Sequence, residues 1–149
     1  MADFKAGTGT GYIWGRNEFL RSWQDVKTES YTLSKDLWPT DAAGQKIAQP
    51  GTLLAKATSG AQTGKVGPFD LAALDGRQTY ANVVGLLLTY LPWQLLERDV
   101  EISAVYAAAA RQDWCRTYTG AAGAAVYTPM TNAMVDALVD VKGLDLIFK

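Results

Sequence analysis

The chain is predicted to be mainly β with a single C-terminal α-helix, an α+β fold. Period-two runs such as Val100 to Ala110, Gly- and Pro-rich punctuation between short segments, and one helical repeat after Thr128 carry that expectation. At 149 residues the chain has the length of one ordinary domain. A hydrophobic fraction of 48% against 19% charged residues describes a sequence that buries a core.

Taken in order, the segment before Pro50 is rich in scattered aromatics. A Gly/Thr run, Gly7 to Gly11, precedes Tyr12, Ile13 and Trp14, and Phe4 lies upstream. Arg16 to Val26 suits a short helix with Phe19, Leu20 and Trp23 on one side, and Tyr31 to Leu33 reads as a short strand before a Trp38-Pro39 turn. The texture changes at Gln49-Pro50-Gly51, which divides the chain into residues 1–49 and 50–149.

The second part is more regular. Thr52 to Thr58 reads as a strand closed at Ser59-Gly60, and a glycine-rich loop follows over Gly60, Gly64 and Gly67. After Pro68-Phe69-Asp70 and the Asp75-Gly76 turn, Val83 to Tyr90 is apolar on both faces, as a fully buried strand would be. Pro92 ends it, because proline has no N–H for a central ladder. In Val100 to Ala110, Val100, Ile102, Ala104, Tyr106 and Ala108 are expected to face one way, and Glu101 and Ser103 the other. Thr128 and Pro129 suit the N-cap and first position of a helix carrying Met130, Met134, Ala137, Leu138 and Val141 on its apolar side. Lys142 and Gly143 fit its C-terminal end, and Leu144 to Phe148 reads as a last strand.

The composition also bears on function. The net charge of −1 offers no basic excess for phosphate backbones, so no direct nucleic-acid contact is expected. With no histidine, the commonest general base and zinc ligand is missing. With one cysteine, Cys115, the chain has neither a disulfide nor a thiolate cluster of its own, and that residue is expected to be a small buried hydrophobe. No enzymatic activity, cofactor or metal is therefore expected. Asp136 and Asp140 read as a solvated helix face, and the glycines from 60 to 67 lack the Gly-Lys-Ser/Thr ending of a phosphate loop. No secretory signal is read in the first ten residues, and Val83 to Leu88 is far short of the roughly 20 apolar residues of a bilayer span. Synthesis in a cytoplasm and no membrane partner are the expectation.

Several strings after Pro50 resemble a known family. Pro50 to Lys56 (PGTLLAK) is similar to the "PGTVLAK" opening of the lambda-type bacteriophage head decoration proteins, and Pro68 to Thr79 (PFDLAALDGRQT) to their "PYDPAASDGSQT" stretch. Val84 to Leu88 is similar to their "VGVLL", and Thr128 to Phe148 to their "ALKALGIIVR"-like ending. Resemblance at these positions implies a small β-barrel or β-tulip-like body over 50–149 and an extended N-terminal arm over 1–49. It further implies a homotrimer on the outer surface of the virion head, seated at threefold and quasi-threefold positions and holding the shell against DNA pressure, with the major capsid protein as partner. The segment before Pro50 is longer and more aromatic than the short arm of the smallest relatives. Trp93, Trp114 and Tyr118 stand where the family often has acidic and glycine-rich loops.

On that reading Phe4, Tyr12, Ile13, Trp14, Phe19 and Trp23 are the candidate capsid contacts. Phe19, Leu20 and Trp23 have a second reading, as packing of a short helix on the protein's own core. Trp93, Ala108 and Ala110 are candidate trimer contacts, with small residues letting backbones approach closely; tight strand pairing within one subunit is the alternative for the alanines. Competing functions are a different oligomeric phage part, such as a head-fibre base or tail accessory, and a small-ligand β-barrel lined by Trp93, Tyr106 and Trp114. A carboxylate hydrolase ranks last, having no motif.

Overall fold

A computed structural model describes residues 19–149. Among the described residues, eight strands and one α-helix form the framework, with short 3-10 turns between them: β1 (Lys27–Leu33), β2 (Leu53–Lys56), β3 (Val66–Pro68), β4 (Val83–Leu87), β5 (Val100–Ala110), β6 (Arg116–Thr119), β7 (Val126–Pro129), α1 (Asn132–Val139) and β8 (Asp145–Phe148). Five strands follow the order β1-β3-β2-β4-β5, and an antiparallel β1–β5 pairing closes them into a barrel. The β1–β3 seam is narrow, a parallel contact with Leu33 opposite Val66. Past the end of β4, β8 adds in parallel to the Ala107–Ala110 end of β5, opposite the edge that pairs with β1, and β6 and β7 form a separate hairpin.

Both faces of the wall are buried, which explains the unbroken apolar run of β4. Leu53, Leu86 and Val105 pack on the face covered by Leu138 of α1, whereas Leu54, Leu87 and Ile102 pack on the face that holds Trp38 and Tyr118. Alternation along single strands sorts the side chains between these clusters.

Two bulges shift that alternation. Lys27 lies opposite Ala107 and Thr28 opposite Val105, which leaves Tyr106 without a partner in β1. Ile102 and Ala104 therefore belong to one cluster and Ala108 to the other, so the single face expected from Val100 to Ala108 reverses at Tyr106. Between β2 and β4 the skipped residue is Val84, next to Gly85. Gly85 has φ +141°, and a Cβ there would lie 2.2 Å from the Val105 carbonyl oxygen. Only a residue without a side chain lets β4 approach β5 so closely.

The expected division at Pro50 is corrected by the barrel. β1 supplies one of its five strands, and Trp38 is wholly buried, so residues 19–49 belong to the body. The described part of the expected Arg16–Val26 helix consists of turns and a bridge from Leu20 to Ala110. β3 forms at the end of the stretch expected as a glycine-rich loop over Gly60, Gly64 and Gly67. Thr128 and Pro129 end β7, and Thr131 caps α1 instead, its hydroxyl accepting from Met134 N at 3.2 Å. Gly143 does take the left-handed conformation, with φ +93°.

Candidate interaction surfaces

The segment from Pro68 to Arg77 follows β3 and is held by hydrogen bonds at both ends. The Asp70 carboxylate accepts from Ala72 N at 2.9 Å, and the Asp70 carbonyl from Ala73 N at 3.0 Å. At the other end the Asp75 carbonyl accepts from Thr58 N at 2.8 Å and Ser59 N at 3.2 Å. Arg77 donates from Nε to Asp75 Oδ2 at 2.9 Å and from Nη1 to the Pro68 carbonyl at 2.9 Å, which ties the loop's exit to its entry. Gly76 completes the turn with φ +103°; a Cβ there would sit 2.1 Å from Thr58 Oγ1. Leu71 and Leu74 ride on this braced loop, and Leu74 is 93% exposed. A large aliphatic side chain left in water on a rigid loop forgoes burial energy that a partner surface could recover.

Beside the loop lies an open cleft of about 450 Å³. Leu37, Trp38, Pro39, Tyr118 and Ala122 supply its apolar lining, with Asp36, Lys46, Asp70 and Arg77 among its polar groups. Trp38 stacks on Tyr118 with ring centroids 5.3 Å apart, and the Tyr118 hydroxyl donates to the Pro39 carbonyl at 2.9 Å. Burial raises that phenol to about 12, so it stays a donor across the neutral range. Trp38 Nε1 is buried with no acceptor among the described residues. A second cleft, of about 380 Å³, is lined by Lys35, Thr40, Lys46, Trp93 and Leu96 among others. Near it Lys65 Nζ meets Asp99 Oδ2 at 2.7 Å and Lys35 N donates to Asp99 Oδ1 at 3.0 Å; these bonds hold the Asp99 carboxyl below its ordinary range.

The sequence candidates do not gather at one place. Phe4, Tyr12, Ile13 and Trp14 lie outside the described residues. Phe19 is buried against Gly51 in the core, so as a surface anchor it is corrected, whereas Trp23 is 61% exposed. Trp93 is partly exposed at the second cleft. Ala108 and Ala110 are corrected as trimer contacts: they are buried within the chain, paired with Leu146 and Phe148 of β8, while Leu20 bridges Ala110 from the other side. Of the three aromatics proposed for a ligand-binding barrel, Trp93 lines the second cleft, and neither cleft includes Tyr106 or Trp114. Leu33, Leu54, Val66, Leu87 and Ile102 instead fill one face of the barrel wall with packed side chains. Among the described residues no group of three His, Cys, Asp or Glu side chains could hold a metal ion.

Leu71 and Leu74 were missed as surface residues. Their signal was two leucines inside a stretch otherwise composed as a turn, Pro68-Phe69-Asp70 to Asp75-Gly76. Fold and surface together define a mainly β domain with a closed five-stranded barrel, one C-terminal helix and a braced apolar loop beside a cleft. No protein-family model, curated protein or solved structure matches the chain.

Proposed function

We propose that this chain is a non-enzymatic capsid decoration protein. It binds the outer surface of a tailed-phage head as a trimer at threefold and quasi-threefold positions, contacts the major capsid protein, and stabilises the shell against DNA pressure. On this reading the body is the β-tulip-like variant of a small barrel, and the residues before Phe19 form the extended arm. The observation that carries the reading is the Pro68 to Arg77 loop. It lies within the Pro68 to Thr79 string of the family resemblance, and hydrogen bonds at both its ends hold two solvent-facing leucines. A protein that reinforces a shell works by binding energy alone. Contact surfaces ordered before binding lose little entropy on docking, and linked copies that engage together multiply modest single-site affinities.

The N-terminal segment supplies the grip in this proposal, through Tyr12, Ile13 and Trp14, joined by the solvent-facing Trp23. Purified protein mixed with undecorated heads is expected to co-sediment with them, and cryo-microscopy to show added density at threefold positions. Absence of binding, or density confined to a fibre base or the tail, would refute the proposal. Deleting residues 1–15 is expected to abolish co-sedimentation; undiminished binding would reject the arm as the grip.

A further inference from the structure

We infer that the Leu71–Leu74 loop of one copy inserts into the Trp38–Tyr118 cleft of a second copy, and that this contact repeats around a closed ring. The inference rests on the oligomeric reading proposed above and names the surface that builds the oligomer. Three observations lead to it. First, Leu74 is 93% exposed on a loop braced at both ends, so its position is set before any partner arrives. Second, the same chain carries a cleft of about 450 Å³ whose lining includes Leu37, Pro39 and Ala122. A leucine side chain occupies on the order of 100 Å³, so such a cleft admits both leucines and lies within the range of pockets that bury small apolar groups. Third, Asp70 and Arg77 line that cleft and also bracket the two leucines in sequence, so knob and cleft are neighbours on one protomer.

That adjacency restricts the symmetry. A contact between two different patches is heterologous, and it closes into a ring or runs on as a filament. When the two patches lie side by side, the axis relating the copies must pass close to both, as in a small ring where every copy presents its loop to the next cleft around the axis. Two leucines cover far less than the roughly 1,000 Å² expected of a stable interface. A single contact is therefore weak, and closure of the ring, in which each copy both gives and receives a knob, makes the assembly persist. The cleft's Lys46 and Arg77 stand beside Asp36 and Asp70, a balanced rim that does not repel a second copy of the same near-neutral chain.

The test is a directed disulfide between copies. Leu74→Cys and Ala122→Cys chains are prepared separately and mixed under mild oxidation; Cys115 is buried and does not compete. A disulfide needs Cα atoms within about 7 Å, so it forms only where knob meets cleft. The expected product is a covalent heterodimer in the mixture, with neither variant cross-linking efficiently alone. A chain carrying both cysteines is expected to give a covalent ring of three on a non-reducing gel. In parallel, Leu74→Asp is expected to weaken self-association in analytical ultracentrifugation by about 30-fold or more, as loss of a hot-spot side chain does. No cross-link in the mixture, a Leu74→Cys homodimer as main product, or unchanged association of Leu74→Asp each overturns the inference. Head binding without a cross-link would overturn this contact while leaving the decoration reading in place. A cross-link in a protein that does not bind heads would support the contact and reject that reading.

Discussion

Tyr127→Phe removes one oxygen and isolates how the segment before Pro50 is held to the barrel. The Tyr127 hydroxyl donates to the Ile47 carbonyl at 2.5 Å and accepts from Gln49 N at 3.0 Å. Both partners are buried, and the ring itself stacks on Tyr118 with centroids 4.4 Å apart. Phenylalanine keeps the ring and its stacking but leaves a backbone N–H and a backbone C=O unpaired in a site closed to water. An unsatisfied buried polar group costs about 1–3 kcal/mol, and partial relaxation of the strand brings the pair to about 2–4 kcal/mol. For a domain of this size each kcal/mol lowers Tm by about 2–4 °C, so a drop of about 5–15 °C is expected. Urea denaturation followed by far-UV circular dichroism should show a lower midpoint at unchanged slope. A loss below about 0.5 kcal/mol, within the usual range of surface substitutions, would refute the claim that residues 47–49 are fastened into the body through β7.

Two further outcomes follow from the same packing. Gly85→Ala forces a Cβ against the Val105 carbonyl at a φ that L residues rarely adopt, so a loss of about 3 kcal/mol or more is expected from strain plus separation of β4 and β5; wild-type stability in a thermal melt would contradict the close approach. Burial raises the Cys115 thiol from 9.0 to about 12, the nearby Arg116 charge opposing this only in part. The folded thiol should therefore resist a disulfide reagent at pH 8 and react once urea is added; because the folded value is the higher one, its contribution to stability is complete below pH 9 and is lost as pH rises towards 12. Rapid labelling of the native protein would place Cys115 at the surface instead.

The local grammar of the chain was legible where one element's own residues decide its form. β5 reads as a strand through Ala107 to Ala110, against the helical propensity of alanine, because a period-two pattern leads into the run; the bulge at Tyr106 shifts its phase, and β8 pairs with the alanines. A helix near the end and its final left-handed glycine were equally legible, but its start was not. Thr128-Pro129 and Thr131 are both acceptable caps, and the choice falls to Thr131 because Tyr127 and Thr128 are held opposite Tyr118 and Thr117 in the β6–β7 hairpin. β3 carries glycine and proline and has almost no strand signal; it exists because β1 and β2 flank it, and Gly67 fits where a Cβ would lie 2.6 Å from Leu37 Cβ.

The candidate surface divides in the same way. The sequence by itself determined the mainly β character, the buried β4, the strand at β5, the turn at Asp75-Gly76 and the presence of a C-terminal helix, because these follow from side-chain periodicity and backbone preference over a few neighbouring residues. Tertiary structure alone decided that Phe19 is core while Leu74 is surface, that Ala108 and Ala110 are covered within one chain, and that residues 19–49 join the barrel instead of standing apart as an arm. Those outcomes depend on pairings between strands distant in the chain, such as β1 with β5. Local pattern says which side chains want burial, but the long-range pairing decides which of them the chain covers and which it leaves exposed.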